Sequence, residues 1–210
     1  MKRENSLNGL IVVVSAPSGA GKTSVVSGVL NKHPDIVFSV SVTTRVPREG
    51  EKEGIDYYFI TDEEFDRLIK SGDFAEWAVV YSHRYGTLKR TIQENMDEGR
   101  TILLDTDTVG AFNIKKHFPE SVLIFIAPPS LETLRERLQN RNTEKQDWIN
   151  KRIEAVPQEI KRMPEYDYIV VNDKLTEAIS QVEAIILAER HKSERMTHSL
   201  TLWREFINGY

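Results

Sequence analysis

Eight residues near the start of the chain, Ala16-Pro17-Ser18-Gly19-Ala20-Gly21-Lys22-Thr23, combine a glycine-rich turn with a lysine and a hydroxyl. They come just after the apolar run Leu10-Ile11-Val12-Val13-Val14. A β-branched strand that ends in such a loop and opens a helix turns backbone N–H groups and the positive end of the helix dipole toward phosphate. Lys22 then reaches β- and γ-phosphate oxygens, and the Thr23 hydroxyl ligates Mg²⁺. The strict pattern asks for glycine where this chain has Ala16.

A second constellation starts at Ser41-Val42-Thr43-Thr44-Arg45-Val46-Pro47-Arg48-Glu49-Gly50 and runs on to Gly54-Ile55-Asp56-Tyr57. Arg45 and Arg48, three apart with a proline between them, make a fork for a phosphate monoester. Guanidinium groups hold phosphate oxygens bidentately, and the Tyr57 phenol adds a neutral donor. Two phosphate sites on one chain imply phosphoryl transfer between them. A third candidate is Asp105, which ends the apolar run Thr101-Ile102-Leu103-Leu104 and so presents a carboxylate to Mg²⁺ or its waters. Asp107 follows two residues later, on the same face if the strand continues.

The elements that must carry these residues read as α/β. Short apolar strands over 10–15, 101–105, 121–127 and 168–172 alternate with helical periodicity over 22–32, 88–98, 109–117, 131–140 and 175–189. That alternation is the mark of a parallel sheet with helices on both faces. Residues 39–88 differ in texture: short strands over 38–42, 56–60 and 74–81, Arg/Pro/Gly turns, and a helix capped at Thr61 or Asp62. They form a small mixed insertion. Residues 141–163 form a second, charged helical insertion with little apolar face, which reads as a lid. The core is then 1–38, 89–140 and 164–210, with 191–210 read as a surface helix or frayed end.

Composition closes off other classes. The chain has 210 residues, no cysteine and a net charge of −4. Cysteine-based metal, thiol and disulfide chemistry is excluded, and no broad basic surface argues for nucleic acid or an anionic membrane. No apolar run approaches the length of a membrane span. The chain reads as cytoplasmic, with small molecules as partners and a monomer or homo-oligomer as its state.

The motif S-x-T-T-R-x-P-R-x-G-E-x-x-G-x-D-Y from Ser41 to Tyr57 resembles the guanylate kinases of the nucleoside monophosphate kinase superfamily. So do Glu76-Trp77-Ala78, Tyr85-Gly86-Thr87, Arg141-Asn142-Thr143-Glu144, and Tyr166-Asp167-Tyr168 with Val170-Val171-Asn172-Asp173. The resemblance covers about residues 8 to 190. It implies a P-loop NTP hydrolase-like core in which Ala replaces the first loop glycine without loss. It also implies Mg²⁺-dependent, in-line transfer of the ATP γ-phosphate to GMP or dGMP.

By that resemblance residues 16–23 bind ATP, Thr23 and Asp105 hold Mg²⁺ partly through water, and Arg45, Arg48, Tyr57 and Tyr85 hold the acceptor phosphate. Ser41 and Glu76 read the guanine, with Thr87 and Asp107 nearby. Lys22, Arg48, Arg141 and Arg152 act on the transferring group, the last two from the lid, while Arg137 is a weaker candidate that faces the core helix. A carboxylate at Glu76 suits the paired N1–H and N2–H₂ donors of guanine, which adenine lacks. Usual in the family are an apolar residue between the two acids and a glutamine before the glycine; here stand Thr106 and Val109.

Rival readings have less support. Asp107-Thr108-Val109-Gly110 matches a GTPase switch pattern, but Asn31-Lys32-His33-Pro34 lacks the aspartate that the GTPase base-reading motif requires. Guanylate-kinase-like binding modules lose phosphate-loop and lid residues that this chain keeps. A kinase for another small phosphate ester would share the ATP half, but Ser41 and Glu76 argue against it.

Overall fold

All six residues of strand β1 (Leu10–Ser15) are buried. Leu10, Val12 and Val14 enter one hydrophobic cluster, whereas Ile11 and Val13 enter another. Side chains alternate across a strand, so a run apolar at every position belongs between two covered faces. Each fully buried valine or isoleucine contributes roughly 1.5–3 kcal/mol, which makes the strand that leads into the glycine-rich loop a rigid base. The computed structural model describes residues 9–80, 82–139 and 156–196.

The main sheet has five strands, β2 (Ile36–Phe38), β7 (Thr101–Thr106), β1, β8 (Val122–Ala127) and β9 (Tyr168–Val171), in that order and all parallel. Helices α1 (Lys22–Lys32), α5 (Leu131–Gln139) and α6 (Leu175–Arg190) supply the cluster on one face. Helices α3 (Lys89–Asp97) and α4 (Thr108–His117) supply the other. The doubly covered α/β sheet expected from the alternation is the one observed. Ser130 accepts from the Thr133 N–H at 3.0 Å, as expected of a cap at the start of α5.

A second sheet, ordered β4 (Tyr58–Phe59), β3 (Val42–Thr43), β6 (His83–Leu88) and β5 (Phe74–Val80), carries the acceptor motif. Helix α2 (Asp62–Ser71) closes it over Val42, Phe65 and Phe74. Its N-cap is Thr61, in a reciprocal capping box with Glu64. The single strand expected over 38–42 is instead two. Ile36–Phe38 pairs with β7 in the main sheet, and Val42–Thr43 pairs with β4 and β6 in the small one. Strand β6, paired antiparallel with β5, was not expected at all.

The frayed end expected from residue 191 is corrected for 191–196. Arg195 is buried and donates to Gly9 O at 3.1 Å and Glu120 O at 2.9 Å. Beside it Glu189, also buried, accepts from Tyr168 Oη at 2.6 Å. A cavity of about 840 Å³ lies there, beside the first residues of β1, β8 and β9. Among the described residues no helix is long and apolar enough to cross a membrane.

Candidate active site

The glycine-rich loop leaves β1 and re-enters structure at α1. Gly19 and Gly21 both have φ of +90°, a conformation costly for other residues. At Gly21 space matters as well, because a Cβ would stand 2.3 Å from Asn172 Nδ2. The loop is braced from behind: Asn172 Nδ2 donates to Ala20 O at 2.8 Å, and Arg137 Nη2 donates to Asn172 O at 3.1 Å. Arg137 therefore braces the loop through the Asn172 carbonyl and is part-buried. Asn172 carries this brace although the sequence alone gave it no role.

Helix α1 begins on Gly21 with no side-chain cap and no acidic residue in its first turn. The first intrahelical bond is made by the Val25 N–H to Gly21 O at 3.1 Å. The N–H groups of Lys22, Thr23 and Ser24 are thus left to point out of the helix start, where an anion is favoured. Lys22 crosses from this turn to the end of β7, donating to Thr106 O at 2.7 Å with its ammonium 3.7 Å from Asp105.

Across the cavity, strand β5 carries a register shift between Phe74 and Glu76. The bulge turns Ala75 into the main core and sets Glu76 opposite Thr87. Glu76 is 9% exposed, and Thr87 donates to its Oε1 at 2.7 Å. Its Oε2 lies against the first turn of α4, 3.0 Å from where a Cβ on Gly110 would be. Burial pushes the Glu76 carboxyl up to about 7, with Asp107 and Asp105 adding to the rise and Thr87 and Lys22 opposing it. Asp107 is not part of β7: it caps α4, accepting from the Gly110 N–H at 2.7 Å.

Lys22, Thr23, Ser41, Tyr57, Glu76, Tyr85, Asp105 and Asp107 line one cavity of about 470 Å³. Arg45 sits at its rim, donating to Tyr85 Oη at 3.3 Å, with Tyr57 and Tyr85 in edge contact at 5.8 Å. Arg48 is exposed on the adjoining turn. The cavity joins an anion-binding helix start to a buried carboxylate and a basic, phenol-lined rim.

The guanylate kinase family model matches residues 8–189. The chain belongs to the guanylate kinase family. It is 43% identical over 187 residues to the guanylate kinase of Caldanaerobacter subterraneus subsp. tengcongensis, covering 89% of this chain and 91% of that one. It is 42% identical over 204 residues to the guanylate kinase of Thermotoga maritima, covering 97% and 99%. The crystal structure of guanylate kinase from Anaplasma phagocytophilum superposes with a TM-score of 0.74 at 37% identity, covering 91% of this chain and 92% of that one. Phosphoryl transfer from ATP to GMP is the activity of this family of phosphotransferases, and it is the activity of this chain.

Of the kinase residues expected from the sequence, Lys22, Thr23, Ser41, Tyr57, Glu76, Tyr85, Asp105 and Asp107 line the cavity, Arg45 and Thr87 bond to lining residues, and residues 16–21 and Arg48 lie outside its lining. Arg141 and Arg152 lie outside the described residues. Where the family pattern has an apolar residue and a glutamine, Thr106 lends its carbonyl to Lys22 and Val109 is exposed. One further carboxyl, not singled out by the sequence, is perturbed. Glu159, from helical residues 156–161, is pushed up to about 6 by burial and by Asp107, with Lys22 opposing. Nothing in its local sequence sets it apart from the other charges of that segment.

Proposed function

We propose that the 470 Å³ cavity is where the two substrates meet, with GMP lying between Glu76 and the Arg45–Arg48 turn and ATP entering along residues 16–23. The observation that carries this is Glu76, a buried carboxylate with one oxygen held by Thr87 and the other against α4, in the same cavity as Lys22. Guanine offers N1–H and N2–H₂ side by side to such an acceptor, and Ser41 lines the same wall. Arg45, Arg48, Tyr57 and Tyr85 hold the acceptor phosphate, which is already anionic and needs no general base. Lys22, Arg48, Arg141 and Arg152 neutralise charge that spreads over the transferring group in a loose transition state. dGMP is accepted too.

Mg²⁺ fits the donors present. The Thr23 hydroxyl and Asp105 carboxylate are hard oxygen ligands that line the cavity beside Lys22. Among the described residues no cluster of three or more His, Asp or Glu forms a closed cage. That suits an ion that keeps its waters and is shared with substrate phosphates. Bound there, Mg²⁺ supplies charge neutralisation to the phosphates. Residues 39–88 close over the acceptor and 141–163 over the donor, excluding water from the core formed by 1–38, 89–140 and 164–210.

The direct test is ADP release from ATP with each nucleoside monophosphate in turn. GMP and dGMP should support turnover that a chelator abolishes, with AMP, CMP and UMP near background. Equal rates across the panel would remove Glu76 from base recognition.

The carboxyl at about 7 has a further consequence. Guanine donors require its ionised form, so GMP affinity should fall by up to about tenfold for each pH unit below 7 and level off above it. The phosphate of GMP adds its own break near pH 6, where its second proton leaves. Calorimetric Kd values from roughly pH 5.5 to 8.5 separate the two, because Glu76→Gln should lose the break near 7 and keep the lower one. A wild-type affinity that is flat through pH 7 would contradict the assignment.

A further inference from the structure

The turn after Arg48 holds a carboxylate with no role in the account so far. The Glu51 N–H donates back to Arg48 O at 3.1 Å, closing a four-residue turn. Within it Gly50 has φ of +88°, while nothing lies within 4 Å of where its Cβ would be. Glycine is needed there for the backbone and not for space. The turn folds the Glu51 side chain over its own start. Oε2 accepts from the Arg48 N–H at 2.7 Å, and Oε1 accepts from Arg45 Nη2 at 2.7 Å. One carboxylate joins the backbone of one arginine to the guanidinium of the other.

Arg45 is held on its remaining sides as well. Its Nη1 donates to Val46 O at 2.8 Å and its Nε to Tyr85 Oη at 3.3 Å. The Tyr57 and Phe59 rings lie 5.3 and 5.8 Å from the guanidinium carbon. A guanidinium has five N–H donors. Three are engaged, leaving one on each terminal nitrogen for an incoming oxygen. At 8% exposure Arg45 has little rotamer freedom left to lose, whereas the Arg48 side chain is exposed.

We infer that Glu51 is a positioning residue for the acceptor phosphate, fixing Arg45 and the base of Arg48 as a preformed fork. The inference rests on the assignment of those two arginines to the acceptor phosphate. The negative charge of Glu51 would also repel a phosphate, so two effects compete. The hydrogen bond from Arg45 holds the Glu51 carboxyl below its usual range, so the charge stays spent on that arginine. Fixing a long side chain before binding removes an ordering cost worth a several-fold change in affinity. Positioning therefore outweighs repulsion.

The test compares KM for GMP, KM for ATP and kcat in the wild type, Glu51→Ala, Glu51→Gln, Arg45→Ala and the Glu51→Ala/Arg45→Ala double variant. Glu51→Ala should raise KM for GMP by about tenfold while leaving KM for ATP unchanged. Glu51→Gln, which keeps one acceptor oxygen, should show a smaller rise and stands in if the alanine variant folds poorly. The double variant should lose less than the two single effects combined, since without Arg45 the Glu51 carboxylate holds only the Arg48 N–H. An unchanged or lower KM for GMP in both Glu51 variants, or full additivity with Arg45→Ala, would overturn the inference. GMP kinetics untouched by Arg45→Ala would instead overturn the phosphate assignment beneath it.

Discussion

Lys22→Ala is expected to lower kcat by roughly two or more orders of magnitude. Lys22 leaves the first turn of α1, where three N–H groups already face outward, and its ammonium lies 3.7 Å from Asp105. Among the described residues it is the positive side chain lining the cavity that also holds Thr23, Asp105 and Asp107. Alanine removes a charge that follows the phosphoryl group in transit, when negative charge on its oxygens is most widely spread. The fold should tolerate the loss. A part-exposed lysine that gives up one bond to Thr106 O costs about 1 kcal/mol. Steady-state ADP release and thermal unfolding on the same preparations would check both halves. Activity within threefold of wild type would show that the loop backbone alone carries the phosphate.

What was legible in the sequence is what is local. The run Leu10 to Val14, the loop and α1 are contiguous, so type and spacing specify both the strand buried on two faces and the helix start. The start of α2 was legible in the same way, with its cap left open between Thr61 and Asp62 until the structure gave Thr61. What crosses between elements was not legible. Phe38-Ser39-Val40-Ser41-Val42 alternates like one strand, yet the chain leaves the main sheet after Phe38 and enters the small one at Val42. Alternation records which side chains are buried and says nothing of which sheet buries them.

The same limit applies inside the site. Simple alternation along Phe74-Ala75-Glu76-Trp77 puts Phe74 and Glu76 on one face. The bulge instead lets Phe74, Ala75 and Glu76 all be buried, in three different surroundings. Asn172 reaches the loop, and Glu159 comes under the influence of Asp107 and Lys22, only through tertiary packing, so no neighbour in sequence marks them. Asp107 was read as a possible second strand carboxylate because the end of β7 one residue earlier leaves no trace in composition.

Glu76→Gln is expected to reduce kcat/KM for GMP by about 2–4 kcal/mol, or roughly 30- to 1000-fold. The amide keeps the shape of the carboxylate and one acceptor. Its NH₂ then meets a guanine donor with no water to take its place. Folding should not suffer. A carboxyl raised to about 7 by burial favours the folded state only while protonated, and that contribution fades as pH rises from its ordinary range through 7. A neutral amide carries no such penalty, so the melting temperature at pH 8 should hold or rise. The decisive measurement is kcat/KM for GMP in wild type and Glu76→Gln at pH 8, beside KM for ATP. The account predicts a fall of at least about 30-fold for GMP with KM for ATP unchanged. Equal kcat/KM values for GMP in the two proteins would mean that another group reads the base.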